Sequence, residues 1–202
     1  TIRMLADMTS GISSYTLDDA WQKVYFSESY RVWSPDELMK IALALKPQDF
    51  APGTAFDYSN TNTILLGKII EDVTGESFQD VLKERILPPL SMSQTVFPAG
   101  SADYPAPHPQ GFTLQGGHGT PDAPANTTDW NPSWGWTAGE LISTATDLLR
   151  FDRAEATGSG LLPAEHQIER LRSFREFNGA GKGGYGLGWG CQNGWVGHAG
   201  EL

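Results

Sequence analysis

A chain of 202 residues has room for one ordinary domain or two small ones, enough to bury a sizeable core. With 39% apolar and 19% charged residues it is neither a disordered nor a collagen-like chain, and a single cysteine, Cys191, excludes a disulfide-stapled one. The 14 Lys and Arg against 24 Asp and Glu leave a net charge of −10, a poor match for nucleic acid or an anionic membrane surface.

The first half of the sequence reads as helices. Thr1 can cap a short helix through Met8, ended by the turn Thr9-Ser10-Gly11. Ser34-Pro35-Asp36-Glu37 combines an N-cap Ser, Pro at the first helical position and acids in the first turn. The helix it opens carries Leu38, Ile41, Ala42 and Leu45 on one face and should stop before Pro47. Pro52-Gly53 marks a turn, and Tyr58-Ser59-Asn60 leads into a helix with the apolar stripe Leu65, Leu66, Ile69, Ile70 and Val73, closed by Gly75. Ser77 opens another, with Phe78, Val81, Leu82 and Ile86 on its apolar side and Pro88-Pro89 as its stop.

From 98 to about 135 prolines and glycines crowd the chain and helical periodicity disappears, which reads as a long surface excursion. Thr144-Ala145-Thr146-Asp147 then caps a helix with Leu148, Leu149 and Phe151, and a second one with Ile168 and Leu171 follows Pro163. The end of the chain turns to strand: Tyr185-Gly186-Leu187-Gly188-Trp189 and Trp195-Val196-Gly197-His198 flank Asn193-Gly194, a hairpin signal. A lone hairpin is marginal and wants more sheet beside it. The opening on Thr1-Ile2-Arg3-Met4-Leu5 and the close just after His198-Ala199-Gly200 therefore suggest residues 1–202 as the central portion of a larger single domain. No apolar run approaches the ~20 residues of a membrane span, and no basic-then-apolar leader is present.

Two chemical signals are decoys. Gly181-Lys182-Gly183-Gly184-Tyr185-Gly186 fits G-x-G-x-x-G, but a dinucleotide fingerprint needs a strand before it and a helix after it, and here a Gly- and Trp-rich strand follows. The histidines, His108, His118, His166 and His198, show no i, i+4 zinc pair, so no metal or other cofactor is expected. His108 and His118 read as solvated and His166 as a surface residue; only His198 sits beside tight glycine turns on a strand.

The sharper pair is Tyr58-Ser59-Asn60 and His198-Ala199-Gly200. In an extended segment Tyr58 and Asn60 project to one side and Ser59 to the other. A phenol and an amide at one helix mouth can move a proton and hold a carbonyl; equally, Tyr58 can simply pack and Asn60 cap the helix. Gly200 removes a side chain where another backbone could approach the strand edge, and such an edge can pair with a peptide-like substrate.

Taken in order, five segments resemble the penicillin-recognising serine hydrolases: class C-type β-lactamases, serine D-Ala-D-Ala carboxypeptidases (among the penicillin-binding proteins) and esterases of the same fold. These segments are Thr1–Leu5 with Thr9-Ser10-Gly11-Ile12, Pro52-Gly53 through Tyr58-Ser59-Asn60 to Thr74-Gly75, Thr137-Ala138-Gly139 with Ile142-Ser143-Thr144, Tyr185–Trp189, and Gly197-His198-Ala199-Gly200. The resemblance implies an α+β, β-lactamase/transpeptidase-like fold, here mainly the helical domain plus a C-terminal β-hairpin of an incomplete antiparallel sheet. It also implies acyl transfer through a serine ester, organised by S-x-x-K, a Tyr- or Ser-x-Asn, and a Lys- or His-x-Gly. On that pattern Tyr58 is the proton-transfer phenol and Asn60 holds substrate. His198 supports the electrostatics, with Ala199 and Gly200 along the substrate. The backbone N–H of Glu201 would be one oxyanion donor, and Trp134 either lines the pocket or belongs to the core.

Two departures stand out. No serine in the 202 residues has Lys three positions on, so the nucleophile is absent from the chain and the chain alone is expected to be inactive. Ala199 and Glu201 stand where relatives that bind a substrate carboxylate often use hydroxyls; Ala199 donates no hydrogen bond, and a Glu201 carboxylate facing the pocket would repel that group and favour a free amine. The expected partner is a small molecule or short peptide: a β-lactam, a D-Ala-D-Ala peptide, an ester or an amide. A carboxylesterase of the same fold and a non-catalytic fragment with a binding role are the alternatives. The resemblance points to action outside the cytoplasm.

Overall fold

A computed structural model describes residues 1–47, 50–176 and 183–200. Among the described residues, seven α-helices are set by the local chemistry that the sequence displays. Helix α1 (Ile2–Ala6) is capped by the Thr1 hydroxyl, which accepts from the Met4 N–H. It is shorter than expected: Asp7 caps it, and Met8 takes φ 58°, a left-handed conformation that stops a helix. Helix α2 (Asp19–Ser27) starts at the Asp18 carboxylate, and α3 (Pro35–Ala44) at a full capping box between Ser34 and Glu37. Helix α4 (Asn60–Thr74) ends on Gly75 at φ 70°, and α5 (Phe78–Arg85) opens at Ser77. Helix α6 (Ala145–Thr157) is capped by Thr144, and α7 (Ala164–Arg172) follows Pro163.

The main core is aromatic. Tyr15, Trp21, Tyr25, Trp33, Leu38, Ala42 and Ile64 are buried together, with Trp130, Trp134 and Trp136 packed against them. Trp21 stacks on Tyr25 at 5.2 Å between ring centroids and meets Tyr15 edge-on at 5.3 Å. The 130–138 segment, two short 3-10 turns, thus closes the core from the far end of the Pro/Gly-rich excursion. The excursion itself is not featureless: β1 (Phe112–Thr113) pairs with β2 (Ala125–Asn126). His118 is not solvated; it packs between Phe26 and Trp130, at 5.7 and 5.3 Å. A second core of Leu90, Met92 and Ala154 joins α6 to the segment after α5.

Helix α4 buries a different face from the one its apolar stripe suggests. Thr61, Asn62, Ile64 and Gly67 are inside, whereas Val73 is 80% exposed. In α7 it is Gln167 that is buried, its amide donating to the Glu155 and Ala156 carbonyls, while Ile168 and Leu171 are about half exposed.

The hairpin is the second half of a four-stranded antiparallel meander, β3 (Arg175–Glu176), β4 (Gly183–Tyr185), β5 (Gly190–Gln192) and β6 (Trp195–Gly197). Asn193-Gly194 makes its two-residue turn, with φ 51° and 82°. Tyr185–Trp189 is not one strand, as its pattern suggests: β4 ends at Tyr185, and Gly186 to Trp189 turn back, the Gly186 N–H donating to the Trp189 carbonyl at 2.9 Å. Gly181 and Lys182 of the G-x-G-x-x-G match lie outside the described residues. The match runs into strand β4, so it opens no helix.

Candidate active site

The last residue of α1 and the segment that joins it to α2 tie the site together. The Ala6 carbonyl accepts from Gly188 N–H at 3.0 Å, Met8 carbonyl from Asp57 N–H at 3.0 Å, and Thr9 carbonyl from Gly53 N–H at 2.8 Å. Further on, Ser14 Oγ accepts from the Asn60 N–H at 3.1 Å. One stretch of chain therefore holds the approach to Tyr58, the start of α4, and the turn that follows Tyr185.

On this frame Ser59 is fully buried, and Tyr58 and Asn60 face the other way, as extended alternation requires. The Tyr58 hydroxyl reaches Asn60 Oδ1 at 3.3 Å, and Asn60 Nδ2 donates to Thr16 Oγ1 at 3.2 Å. Asn60 is the first residue of α4 rather than its cap, so its side chain is free for these contacts.

The sheet brings His198 to the same place. Its ring lies 5.4 Å from that of Tyr58 and 5.7 Å from that of Tyr185, nearly perpendicular to the latter at 86°. Tyr58, Asn60, Trp134, His198, Ala199 and Gly200 all line one cavity of about 1340 Å³. Trp134 answers both of its expected descriptions, since it also packs against Trp21 and Tyr25 at 6.1 and 5.5 Å. Glu201 lies outside the described residues.

Tyr185 is the member that sequence reasoning missed. Its hydroxyl stands 3.0 Å from His198 Nε2, and its ring is buried against Phe56 and Tyr58. The residue was visible in the sequence only as part of a strand-like motif, where its direction could not be read. Thr16 gave no signal at all, because it meets Asn60 from 44 positions away.

The electrostatics are those of neutral phenols. Burial pushes the Tyr58 hydroxyl above the ordinary phenol range, and burial first, then Tyr58, does the same to Tyr185. Among the described residues no group of three or more His, Cys, Asp or Glu side chains is placed to hold a metal ion, and no helix is long and apolar enough to cross a membrane. The arrangement can accept or hand on a proton at a phenol, hold an amide or carbonyl beside Asn60, and lay a substrate along the end of β6.

Comparison with known proteins agrees on a hydrolase fold. The family model described as Beta-lactamase matches residues 1–202. A D-stereospecific amidohydrolase from Streptomyces sp. superposes with a TM-score of 0.89 at 34% identity, over 100% of this chain and 61% of that one. Penicillin-binding protein 4 of Amycolatopsis lactamdurans is 32% identical over 107 residues, 52% of this chain and 27% of that protein. A D-aminopeptidase of Cereibacter sphaeroides is 30% identical over 92 residues, 46% of this chain and 17% of its own length. The chain thus spans well under half the length of these two curated relatives. The α+β architecture is that of β-lactamases and penicillin-binding proteins.

Proposed function

This chain belongs to the Beta-lactamase family, and on that premise we propose that it supplies the substrate-facing walls of a serine hydrolase working through an acyl-enzyme, the attacking serine coming from outside these 202 residues. The observation that carries the reading is the meeting of Tyr58, Asn60 and His198 on one cavity, from a helix mouth and a sheet end about 140 positions apart in sequence. In this reading Tyr58 takes the serine proton on attack and returns it to the leaving group. Burial alone keeps a phenol protonated, so the reading requires the ammonium of an S-x-x-K lysine beside Tyr58 to draw it toward phenolate. Asn60 holds the substrate's amide, and Ala199 and Gly200 lie along it.

Amides of D-amino acids are the substrate class best supported. The Streptomyces sp. relative is a D-stereospecific amidohydrolase and the Cereibacter sphaeroides relative a D-aminopeptidase. Ala199, two residues beyond the end of β6, offers no hydroxyl for a substrate carboxylate, which weighs against carboxypeptidase specificity.

Expressed together with an S-x-x-K segment, the protein should release ammonia from a D-amino acid amide in preference to its L-enantiomer, and one serine should be acylated by an activated ester or a fluorescent penicillin. The 202 residues alone should do neither. Tyr58→Phe should cut turnover about 10²–10⁴-fold with folding intact. Failure of every serine to acylate, or unchanged turnover in Tyr58→Phe, would overturn the proposal.

A further inference from the structure

Tyr185 belongs to no expected motif role, yet it is the side chain in closest polar contact with His198. Three features of the sheet bring this about. Tyr185 on β4, Gly190 on β5 and Gly197 on β6 are paired in one row across the sheet. A Cβ at Gly190 would meet the Tyr185 ring at 3.8 Å and the Gly197 carbonyl at 3.4 Å, ordinary contact distances, so the Tyr185 ring lies over β5 on the face that Gly190 leaves without a side chain. Gly197 takes φ 156°, a conformation L side chains rarely adopt, and it is the last residue of β6, so His198 lies beyond the ladder and is not held to its alternation. His198 therefore turns toward Tyr185 rather than away from it.

The hydrogen bonds then decide the state of the imidazole. His198 Nδ1 stands 2.6 Å from the Ala199 carbonyl oxygen, which can only accept, so Nδ1 carries the proton and donates. In the neutral ring Nε2 is then an acceptor, and the Tyr185 hydroxyl at 3.0 Å is its donor.

We infer that Tyr185 is a positioning residue of the site: its hydroxyl, with the Ala199 carbonyl, holds His198 as the Nδ1–H tautomer and orients its ring toward Tyr58. Both ring nitrogens are thereby engaged, so in this state His198 offers substrate no N–H. It acts through the placement of its ring beside the Tyr58 phenol, at 5.4 Å and an interplanar angle of 49°. Tyr185 is itself fixed from behind by Phe56, 5.6 Å away, and by the turn after it, which the Gly188 N–H anchors to Ala6. This assignment deepens the hydrolase reading in treating His198 as a site residue, but its physical content is a hydrogen bond that exists without turnover.

The test is nitrogen NMR on the [15N]histidine-labelled chain at alkaline pH, where an imidazole is neutral. His198 is assigned by comparison with His198→Gln. Wild type should show His198 with Nδ1 protonated and with Nε2 shielded by an accepted hydrogen bond. Tyr185→Phe keeps the ring and its packing and deletes only the donor, so Nε2 should move downfield toward a free lone pair. Tyr58→Phe should leave Nε2 where it was. A protonated Nε2 in wild type, or an Nε2 resonance indifferent to Tyr185→Phe, would overturn the inference whatever the chain's activity. Conversely, the expected shift in a protein whose serine never acylates would refute the hydrolase reading and leave the hydrogen bond standing.

Discussion

Asn62 shows how much of the site's geometry hangs on side chains that never reach it. It is fully buried, yet its amide is used at both ends: Ser10 Oγ donates to Oδ1 at 2.7 Å, and Nδ2 approaches Met8 Sδ at 3.3 Å. Met8 needs this support, since a left-handed φ costs a side-chain-bearing residue roughly 1–2 kcal/mol. The same bend at Met8 turns its carbonyl to the Asp57 N–H, directly before Tyr58. Asn62→Ala takes away the acceptor of the Ser10 hydroxyl, which then keeps only the Ile12 N–H as a partner, and opens a hole under that bend. It should lower stability by about 1–3 kcal/mol and loosen the Tyr58 approach. Thermal unfolding checks the first effect, and proteolytic nicking within residues 50–58 the second. An unchanged midpoint would show that the amide is dispensable.

At the scale of elements, helix starts and stops were legible because they are written in short-range chemistry. The Ser34 capping box, the Thr144 cap and the Gly75 stop all occur where their residue types place them. Which face of α4 goes inward was not legible. Periodicity weighs apolar area, and by that measure Leu65, Leu66, Ile69, Ile70 and Val73 win. The structure instead turns toward the 136–138 turn a face with Gly67 on it, because the two backbones approach too closely for anything larger. A methyl at Gly67 would lie 2.5 Å from Thr137 Cγ2 and 2.8 Å from the Trp136 ring. Thr137 cannot easily swing aside, since it is β-branched and its hydroxyl donates to the Thr63 carbonyl at 2.8 Å. Gly67→Ala gains about 1 kcal/mol of helix propensity. Overpacking costs about 1–3 kcal/mol, so the protein should nevertheless be destabilised, by a net of up to about 2 kcal/mol. The displaced turn carries Ala138 and Gly139 of the cavity wall, so that wall should deform along with it. A Tm at or above that of wild type would show that the turn yields easily.

Across the whole molecule, what the sequence revealed of the candidate site was the part that recurs in a fixed order: Tyr58 and Asn60 at the mouth of one helix, His198 and Gly200 after one strand. What it concealed were the partners chosen by three-dimensional folding. Thr16 and Tyr185 reach the cavity from unrelated segments, and the strand-like Tyr185–Trp189 pattern hid a turn. The same folding buries four phenols, and this has a consequence for pH. Burial raises the pKa of Tyr15, Tyr58 and Tyr185, and pushes Tyr25 up to about 12. An unfolded chain releases these protons near the ordinary phenol value of about 10, whereas the folded chain retains them. Above that value the native state binds more protons than the unfolded one, so stability is fully present below pH ~10 and lost as pH rises beyond it. Each phenol held neutral should add a slope of about 1.4 kcal/mol per pH unit. Tyr15 is the sharpest probe, being completely buried with its hydroxyl donating to the Trp134 carbonyl at 2.5 Å. Tyr15→Phe should cost stability at neutral pH, by leaving that carbonyl unpaired, and yet flatten the alkaline limb by one phenol's share. Urea unfolding of both proteins at stepped pH values from neutral to strongly alkaline measures the two slopes, and parallel limbs would mean that Tyr15 ionises in the fold as readily as outside it.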